Sequence, residues 1–422
     1  MAAPRGLRWR YYAYQVSHSN GFYLPLSILY LQKVRGFGYT DIGLILGGFS
    51  IAMVAAEIPT GYLGDRLGRR ATLALSNLVG AGFMLGYVVV ETPLGYLSLY
   101  GVWAVGWAFR SGTRDAWLYE LLNRTDDEDT FATVSGHATA VELGIEAVSA
   151  LAVGALATFS WGLPFLANAG VAALGLPLLL TLPETHGLQD DSTSSADASD
   201  EEELPVDTPG QADTGLTIHA ALRALRIQIG QKEIRWFIVY AALFHGLFSV
   251  TRTFEQPALD RVGVSVAGLG VLYAAFKLVS ASAASLAGPL RSTFGTKRVF
   301  ALLAPVYGIA WATIAFRPVL VLPLLFLNRG LFRVLTPLRN HYLNEKLGDV
   351  GRATVLSGAS MILSVAAGLA KITAGILAAR IGLLQFLAIA GVTVAVAGGV
   401  LWMTVSPVDD VSSHANTVTG HC

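Results

Sequence analysis

Residues 61–70 have the sequence GYLGDRLGRR and lie between two long apolar stretches. They include three glycines, one aspartate and three arginines: Gly61, Gly64, Gly68, Asp65, Arg66, Arg69 and Arg70. Glycine permits a tight turn and a close backbone approach, and arginines beside an apolar run favour the cytoplasmic face of a membrane. The segment therefore predicts a short basic loop that joins two membrane-spanning helices on the cytoplasmic side.

The composition of the whole chain also indicates a membrane protein. Of its 422 residues, 53% are hydrophobic and only 14% are charged, whereas a soluble domain has about 25% charged residues. This balance excludes a disordered protein and disfavours a basic nucleic-acid binder, so we expect no nucleic-acid partner. The single cysteine, Cys422, is the last residue. We therefore expect no internal disulfide, thiolate metal cluster or catalytic thiol. We also expect no cofactor.

Twelve stretches are long and apolar enough to cross a bilayer, because a spanning helix needs about 20 mostly apolar residues. They are residues 12–32, 41–63, 72–91, 96–120, 132–157, 164–182, 234–254, 265–290, 299–316, 319–341, 353–378 and 382–404. With the N-terminus in the cytoplasm, 17 basic residues fall on the cytoplasmic side and five outside. The excess predicts a multi-pass protein of the cell membrane with both termini cytoplasmic.

The charge distribution divides the chain into two halves. Residues 184–213 hold ten acidic and no basic side chains, which leaves 19 acidic against 29 basic residues, or +10, elsewhere. We expect residues 184–217 to form a disordered cytoplasmic linker. It separates an N-terminal six-helix bundle, residues 1–183, from a C-terminal bundle, residues 218–405. The second bundle starts with an amphipathic lead-in, and a cytoplasmic tail, residues 406–422, follows it.

The two halves share weak internal sequence similarity. Residues 61–70 align with residues 288–297 at an offset of 227, and Phe109 and Arg110 align with Phe332 and Arg333 at an offset of 223. A third match has an offset of 221. Three matches in the same order predict two homologous halves, related by an axis along the membrane normal.

Residues 61–70 resemble the signature loop of the major facilitator superfamily, whose pattern G-x-L-[GAS]-D-[RK]-x-G-[RK]-[RK] they match throughout. The second copy departs from the pattern at Ser292 and Thr293. The resemblance covers essentially the whole chain. It implies an all-α membrane protein with 12 transmembrane helices in two pseudo-symmetric six-helix bundles. It also implies a secondary transporter that works by alternating access around a central cavity.

The resemblance further implies a conformational latch at the signature loop. Asp65 would face the N-terminus of the eleventh span near Arg352, an interaction worth about 0.3–1 kcal/mol if exposed and up to ~2 kcal/mol if partly buried. The latch would favour the outward-facing state, and Glu57, two turns earlier, would extend it. The alternative is a loop whose basic residues only fix the membrane topology.

Arginines within the predicted spans are candidate functional groups, because charge is costly inside a bilayer. Arg110 and Arg114 share one face of the fourth span, and Arg329 and Arg333 share one face of the tenth. The resemblance places both spans beside the cavity, where these arginines would suit an anionic substrate. Arg110 also matches the position of the superfamily's proton-coupling arginine. Alternatively, the arginines extend to the cytoplasmic surface and pair with carboxylates on the same helix.

Glu142 and Glu146 on the fifth span lie about 16 and 22 Å from its cytoplasmic end. Lys277 on the eighth span lies at a similar depth, and the resemblance places these two spans side by side between the halves. We therefore expect an ion pair between Lys277 and the two glutamates. Protonation of a glutamate would weaken the pair and couple protons to transport. A permanent structural ion pair is the alternative.

The candidate substrate-cavity residues are Asn20, Trp107, Arg110, His245, Arg252, Arg329 and Arg333. Packing or interface positions are the alternative for the histidine and the aromatic side chain. Lys371 is expected near the outer membrane surface, with its ammonium group extended towards water.

These patterns predict a secondary active transporter of a small solute, coupled to protons, with export the favoured direction. Two alternatives remain open: an importer or exchanger of organic anions, and a non-transporting membrane sensor. The sequence contains no phosphate-binding loop or nucleophile motif, so we do not expect an enzyme. The expected partners are the substrate, protons and the lipid bilayer, and the expected oligomeric state is a monomer.

Overall fold

The computed structural model describes residues 5–123, 130–184, 232–346 and 352–408, and all regular secondary structure in these ranges is helical. The predicted all-α fold is confirmed. The N-terminal half contains α1 (Arg5–Val16), α2 (Ser27–Lys33), α3 (Tyr39–Leu67), α4 (Arg69–Val89), α5 (Pro93–Asn123), α6 (Phe131–Phe159) and α7 (Leu163–Leu180). The C-terminal half contains α8 (Lys232–Thr253), α9 (Glu255–Arg261), α10 (Val266–Ala284), α11 (Ala287–Ala312), α12 (Val321–Lys346), α13 (Arg352–Ile381) and α14 (Leu383–Val405).

Ten helical segments of the described chain are long and apolar enough to cross a membrane. Two of the twelve predicted spans are not among them. The fourth corresponds to α5, a single helix of 31 residues whose second half is charged. The first is interrupted at residues 17–26, between α1 and α2. That these two segments also cross the membrane, which would make twelve crossings, therefore stays a prediction.

The break in the first span has a local cause. The Ser17 hydroxyl donates to the carbonyl oxygen of Tyr14 at 2.7 Å, so the side chain competes for a helical backbone acceptor. Pro25 lacks an amide hydrogen with which to continue the helix. The prediction of one continuous helix over residues 12–32 is therefore wrong. The seventh span is also broken, at Phe254, between α8 and α9.

The predicted internal repeat is confirmed at the level of single residues. Gly68 has φ 79° and ψ 155° between α3 and α4, and Gly295 has φ 73° and ψ 153° within α11. These values lie in a region that side chains other than glycine rarely adopt. The two positions are 227 residues apart, as the alignment of residues 61–70 with 288–297 requires. The same glycine turn is thus built into both halves.

Of the two domain boundaries predicted in the central segment, the one between residues 217 and 218 lies outside the described residues, and the one between 183 and 184 lies at their edge. These ranges omit residues 185–231, which contain almost all of the predicted linker and most of the amphipathic lead-in. They also omit residues 409–422 of the predicted tail. The two helical halves on either side of the central segment are described.

We call the two ends of the helices the Gly36 side and the Gly68 side, after the glycines in the α2–α3 and α3–α4 connections. On the Gly36 side the two halves meet along α3 and α13. A methyl group at Gly43 would lie 2.6 Å from the carbonyl oxygen of Lys371 and 2.9 Å from the Cα of Gly375. One at Gly47 would lie 2.6 Å from the carbonyl oxygen of Gly368. We call these four glycines (Gly43, Gly47, Gly368 and Gly375) the glycine seam, since small residues allow membrane helices to approach closely.

A second close contact joins α6 and α10 on the same side. A methyl group at Gly154 would lie 2.6 Å from the Cα of Ala267, and one at Gly270 would meet the carbonyl oxygen of Ala150. Because α6 belongs to the first half and α10 to the second, both contacts hold the bundles together on the Gly36 side.

We predict that Gly43→Ala weakens closure of the Gly36 side, because its methyl group would meet backbone atoms that cannot rotate away. The measurement is the rate at which a cysteine at Ala258, a fully buried residue of α9, reacts with a membrane-impermeant maleimide. Cys422→Ser provides a background without other cysteines. We expect labelling to accelerate about tenfold for each ~1.4 kcal/mol of weakened contact.

Gly101→Ala is the matched control, because a methyl group at Gly101 would have no atom within 4 Å. Equal labelling rates in the Gly43→Ala, Gly101→Ala and parent proteins would show that the glycine seam does not hold this side closed.

Candidate functional site

A cavity of about 670 Å³ lies between the two halves and is lined by both of them. All seven residues predicted for a substrate cavity line it: Asn20, Trp107, Arg110, His245, Arg252, Arg329 and Arg333. Five other charged residues singled out within the predicted spans also line it: Glu57, Glu142, Glu146, Lys277 and Lys371. Residues distant in sequence therefore share a single central space.

The cavity extends towards the Gly68 side. Its lining includes Glu57 of α3 and Thr139 of α6. At 1.5 Å per residue, they lie about 15 and 12 Å from the ends of their helices on that side. Glu57 is exposed. Together with the close helix contacts on the other side, this arrangement gives a cavity that is closed at one end.

Gln256 of α9 joins the two halves at the closed end of the cavity, because it forms hydrogen bonds with the broken first span. Its Oε1 accepts hydrogen bonds from the backbone amides of Ile28 (2.9 Å) and Leu29 (3.1 Å), at the start of α2. Its Nε2 donates to the carbonyl oxygen of Leu24 at 2.6 Å and to the Ser27 hydroxyl at 3.3 Å. The first amides of a helix have no partner within the helix. One side chain from the second half therefore satisfies backbone groups exposed by the break in the first.

An ion pair lies close to this junction. The Lys33 ammonium group of α2 is 2.8 Å from a carboxylate oxygen of Asp260 in α9. The Lys33 side chain is half exposed, so the pair contributes little beyond about 1 kcal/mol. The buried amide of Gln256, with 2% of its surface exposed, is the stronger constraint.

Glu146 is the main electrostatic contact between the bundles inside the cavity. Its carboxylate forms an ion pair with Lys277 of α10. It also accepts a hydrogen bond at 3.1 Å from the backbone amide of Asn20, within the break of the first span. Gly21 lies against α6, where a methyl group would be 2.5 Å from the carbonyl oxygen of Glu146. The carboxylate therefore contacts the second half and the broken helix at once.

Glu142 has a different partner from the one expected. Its carboxylate accepts a hydrogen bond of 2.6 Å from the Gln15 side chain of α1, within the same half. Arg110 lies over the Trp107 ring, with its guanidinium carbon 4.2 Å from the ring centroid. Of the two glutamates, Glu146 pairs with Lys277 and Glu142 does not.

Sequence reasoning missed Glu255, which forms a second buried ion pair in the cavity. Both of its carboxylate oxygens accept from Arg329 of α12, at 2.6 and 2.8 Å, and the Tyr273 hydroxyl also donates to it. Glu255 is 3% exposed. The seventh span was predicted to end at residue 254, which placed this carboxylate outside the membrane. The nearby Arg252 was the available signal, since a charge is costly within a membrane span and favours a nearby counter-charge.

Arg114 and Lys371 have different outcomes. Arg114 pairs at 3.0 Å with Asp115 on its own helix, which agrees with the structural alternative for that residue. The expectation that Lys371 extends towards the outer surface is wrong. Its ammonium group donates to the Ser50 hydroxyl of α3 at 2.8 Å, and its side chain lines the cavity. It cannot reach the surface because α13 packs closely on α3 at this level.

The residues of the predicted latch lie around the α3–α4 turn. Gly61, Gly64 and Arg66 belong to the last turns of α3, and Arg69 and Arg70 begin α4. Arg69 pairs with Glu120 of α5 at 3.3 Å, and the Thr72 hydroxyl donates to the Gly68 carbonyl oxygen at 2.8 Å. The side chain of Asp65 and residues 347–351 lie outside the described parts of the structure. Glu57, expected to extend the latch, lines the cavity.

Residues 15–257 match the profile of the Major Facilitator Superfamily. The chain belongs to this superfamily. Its members are transporters rather than enzymes, and the chain is a multi-pass membrane protein. The predicted family, fold class and absence of enzymatic function are confirmed.

The individual proteins that this chain resembles share little sequence identity with it. YxaM of Bacillus subtilis (strain 168), an uncharacterized MFS-type transporter, is 22% identical over 254 residues, which are 60% of this chain and 58% of that protein. The chain thus aligns with little more than half of this relative. Two structures of the nucleoside transporter NupG have TM-scores of 0.77 and 0.74 at 16% identity, covering 94% of this chain and 100% and 96% of theirs. A D-xylose–proton symporter has a TM-score of 0.63 at 15% identity, covering 93% of this chain and 95% of its own.

We predict that Gln256→Ala destabilises the transporter, because the amides of Ile28 and Leu29 would lose their acceptor in a buried position. Each buried polar group left without a partner costs about 1–3 kcal/mol. We expect a lower midpoint of thermal unfolding in detergent. Gln385→Ala, at an exposed glutamine of α14, serves as the control. Equal midpoints in the two variants would exclude a structural role for the Gln256 contacts.

Proposed function

We propose that the protein is a proton-coupled secondary transporter that moves a small solute by alternating access. The supporting observation is the charged cavity between the two halves, closed on the Gly36 side and extended towards the Gly68 side. Rocking of the halves about this cavity would close one end as it opens the other. Binding of the solute would shift the balance between the two arrangements by its difference in affinity for them.

The Lys/Arg bias of the loops supports a cytoplasmic position for the Gly68 side and for both termini, in the cell membrane. With this orientation, the described arrangement is inward-facing. The central linker and the C-terminal tail then lie in the cytoplasm. The transporter acts as a monomer, because one chain supplies both halves of the cavity.

Glu146 is the proposed coupling carboxylate, with Glu142 as its neighbour. Its charge attracts Lys277 of the other bundle, so a proton on Glu146 would remove the attraction and favour separation of α6 from α10. A proton would also change its hydrogen bond with the Asn20 amide, which links coupling to the broken first span. Removal of one partner from a buried ion pair leaves an uncompensated charge, which makes the step sensitive to protonation.

An organic anion is the favoured solute class. Among the described residues, six cationic side chains line the cavity: Arg110, Arg252, Lys277, Arg329, Arg333 and Lys371. Four anionic side chains oppose them: Glu57, Glu142, Glu146 and Glu255. The net charge of +2 favours the organic-anion importer or exchanger over a carrier of neutral sugars or nucleosides. Charge-lined clefts concentrate solutes of opposite charge.

The test is solute flux into and out of proteoliposomes, measured with a proton gradient imposed in each direction. We predict gradient-driven flux in the parent protein, and the gradient that drives it assigns import or export. Glu146→Gln should retain solute exchange but lose most of the response to the gradient, because its side chain no longer changes charge. Glu91→Gln, at an exposed carboxylate near the Gly36 side, should behave like the parent.

Coupling that is unchanged in both Glu142→Gln and Glu146→Gln would exclude these carboxylates as the proton site. An absence of gradient-dependent flux across a broad panel of solutes would favour the membrane sensor over the transporter.

A further inference from the structure

The six cavity cations differ in whether the protein neutralises them. Lys277 is paired with Glu146, and Arg329 is held by both oxygens of Glu255. The three remaining cations of the second half have no such partner. Within the described ranges, no carboxylate lies within 4 Å of the charged groups of Arg252, Arg333 and Lys371. We call these three residues the cation triad.

The members of the cation triad come from three helices and face one space. Arg252 is in the last turn of α8, Arg333 is in α12 and Lys371 is in α13, and all three line the cavity. Arg252 and Arg333 are exposed to solvent although they lie deep between the helices. Among the described residues, the hydrogen-bond partner of the Lys371 ammonium group is the neutral Ser50 hydroxyl. Their exposed surface is therefore the surface of the cavity.

The described carboxylates near the cation triad do not balance the repulsion between its positive charges. Arg252 is repelled by the neighbouring charges of Arg329, Arg333 and Lys371. The one opposing carboxylate among its described electrostatic neighbours is Glu255, which Arg329 already binds. The four cations and this single carboxylate leave a local charge of +3. Like charges gathered in one cavity repel one another, and a cleft lined by one sign of charge attracts solutes of the opposite sign, so a bound anion would stabilise the arrangement.

We infer that the cation triad binds the carboxylate or phosphate group of a small organic anion, an inference that rests on the proposed transport function. Guanidinium groups bind both kinds of oxyanion through paired hydrogen bonds. The cavity volume of about 670 Å³ suits an organic molecule of moderate size and exceeds the needs of an inorganic ion. The anionic group thus lies against α8, α12 and α13 of the second half.

The opposite wall provides a place for the rest of the molecule. Phe49 and Trp103 line the first half of the cavity and are stacked with ring centroids 5.0 Å apart and an interplanar angle of 18°. Aromatic surfaces of this kind pack well against an apolar or aromatic body. A solute with an anionic group at one end and an aromatic body at the other would contact both bundles at once.

Binding is tested with the full chain in lipid nanodiscs and three matched pairs of probes. Each pair contains an aromatic anion and a neutral analogue: phenylacetate and phenylacetamide, salicylate and salicylamide, and phenyl phosphate and phenol. The measurement is the dissociation constant from quenching of tryptophan fluorescence, since Trp103 and Trp107 line the cavity. We expect saturable binding of anions and at least about tenfold weaker binding of their neutral analogues. Comparison of phenylacetate with phenyl phosphate assigns the preferred oxyanion.

Variants locate the site. Arg252→Gln, Arg333→Gln and Lys371→Gln should each weaken anion binding by about 10- to 100-fold without changing the affinity for the neutral probes. Arg114→Gln is the control, because that guanidinium pairs with Asp115 and lies outside the cavity lining.

Equal affinity for neutral and anionic probes, an absence of anion binding, or equal losses in the triad variants and in Arg114→Gln would overturn the inference. Gradient-driven flux of neutral solutes together with no anion binding would reject the anion site while preserving the transporter. Anion binding without flux of any solute would preserve the site and reject transport.

Discussion

The close approach of α3 and α13 at the glycine seam is the contact on which the rest of the arrangement depends. A side chain at any of Gly43, Gly47, Gly368 and Gly375 would meet a backbone atom of the opposing helix within 3 Å, and at Gly43 and Gly375 all of the nearest atoms are backbone atoms. In a bilayer, helix association depends on van der Waals contact and hydrogen bonding rather than on burial from water. The seam therefore sets how closely the two bundles meet on the Gly36 side, and the cavity is the space that this contact leaves open.

Contact between the bundles also allows non-helical backbone within the membrane, because the second bundle supplies hydrogen-bond partners to the break in the first span. The first and seventh spans are both broken, and exposed peptide groups are costly in hydrocarbon unless protein or water satisfies them. Gln256 satisfies groups around the first break, and Glu146 accepts from the Asn20 amide inside it. Each of these contacts reaches a residue that is more than 100 positions away in sequence. Packing between the bundles and polar contacts at the breaks therefore support one another.

Local patterns in the sequence, together with the resemblance of residues 61–70 to a known signature loop, were sufficient for the fold and for part of the site. Hydrophobic length predicted the spanning helices, and the alignment of residues 61–70 with 288–297 placed Gly68 and Gly295 in the same turn. Depth along a helix placed Lys277 level with Glu146, although it did not distinguish Glu146 from Glu142. Gln256, Glu255 and the seam glycines were not found. Their roles depend on which helix lies opposite, and neither periodicity nor spacing within one helix contains that information. Lys371 was misplaced for the same reason, since its partner Ser50 belongs to the other half.

The most direct test measures distances between pairs of spin labels at both ends of the molecule. The method is double electron–electron resonance, in the Cys422→Ser background. One pair of labels replaces Leu94 and Phe316, exposed residues of the two halves on the Gly36 side, and another replaces Leu67 and Phe294 on the Gly68 side. Relative to the parent, Gly43→Ala should lengthen the first distance and shorten the second, because opening one end of a rocking pair closes the other. Two unchanged distances, or two that shift in the same sense, would contradict alternating access controlled by the glycine seam.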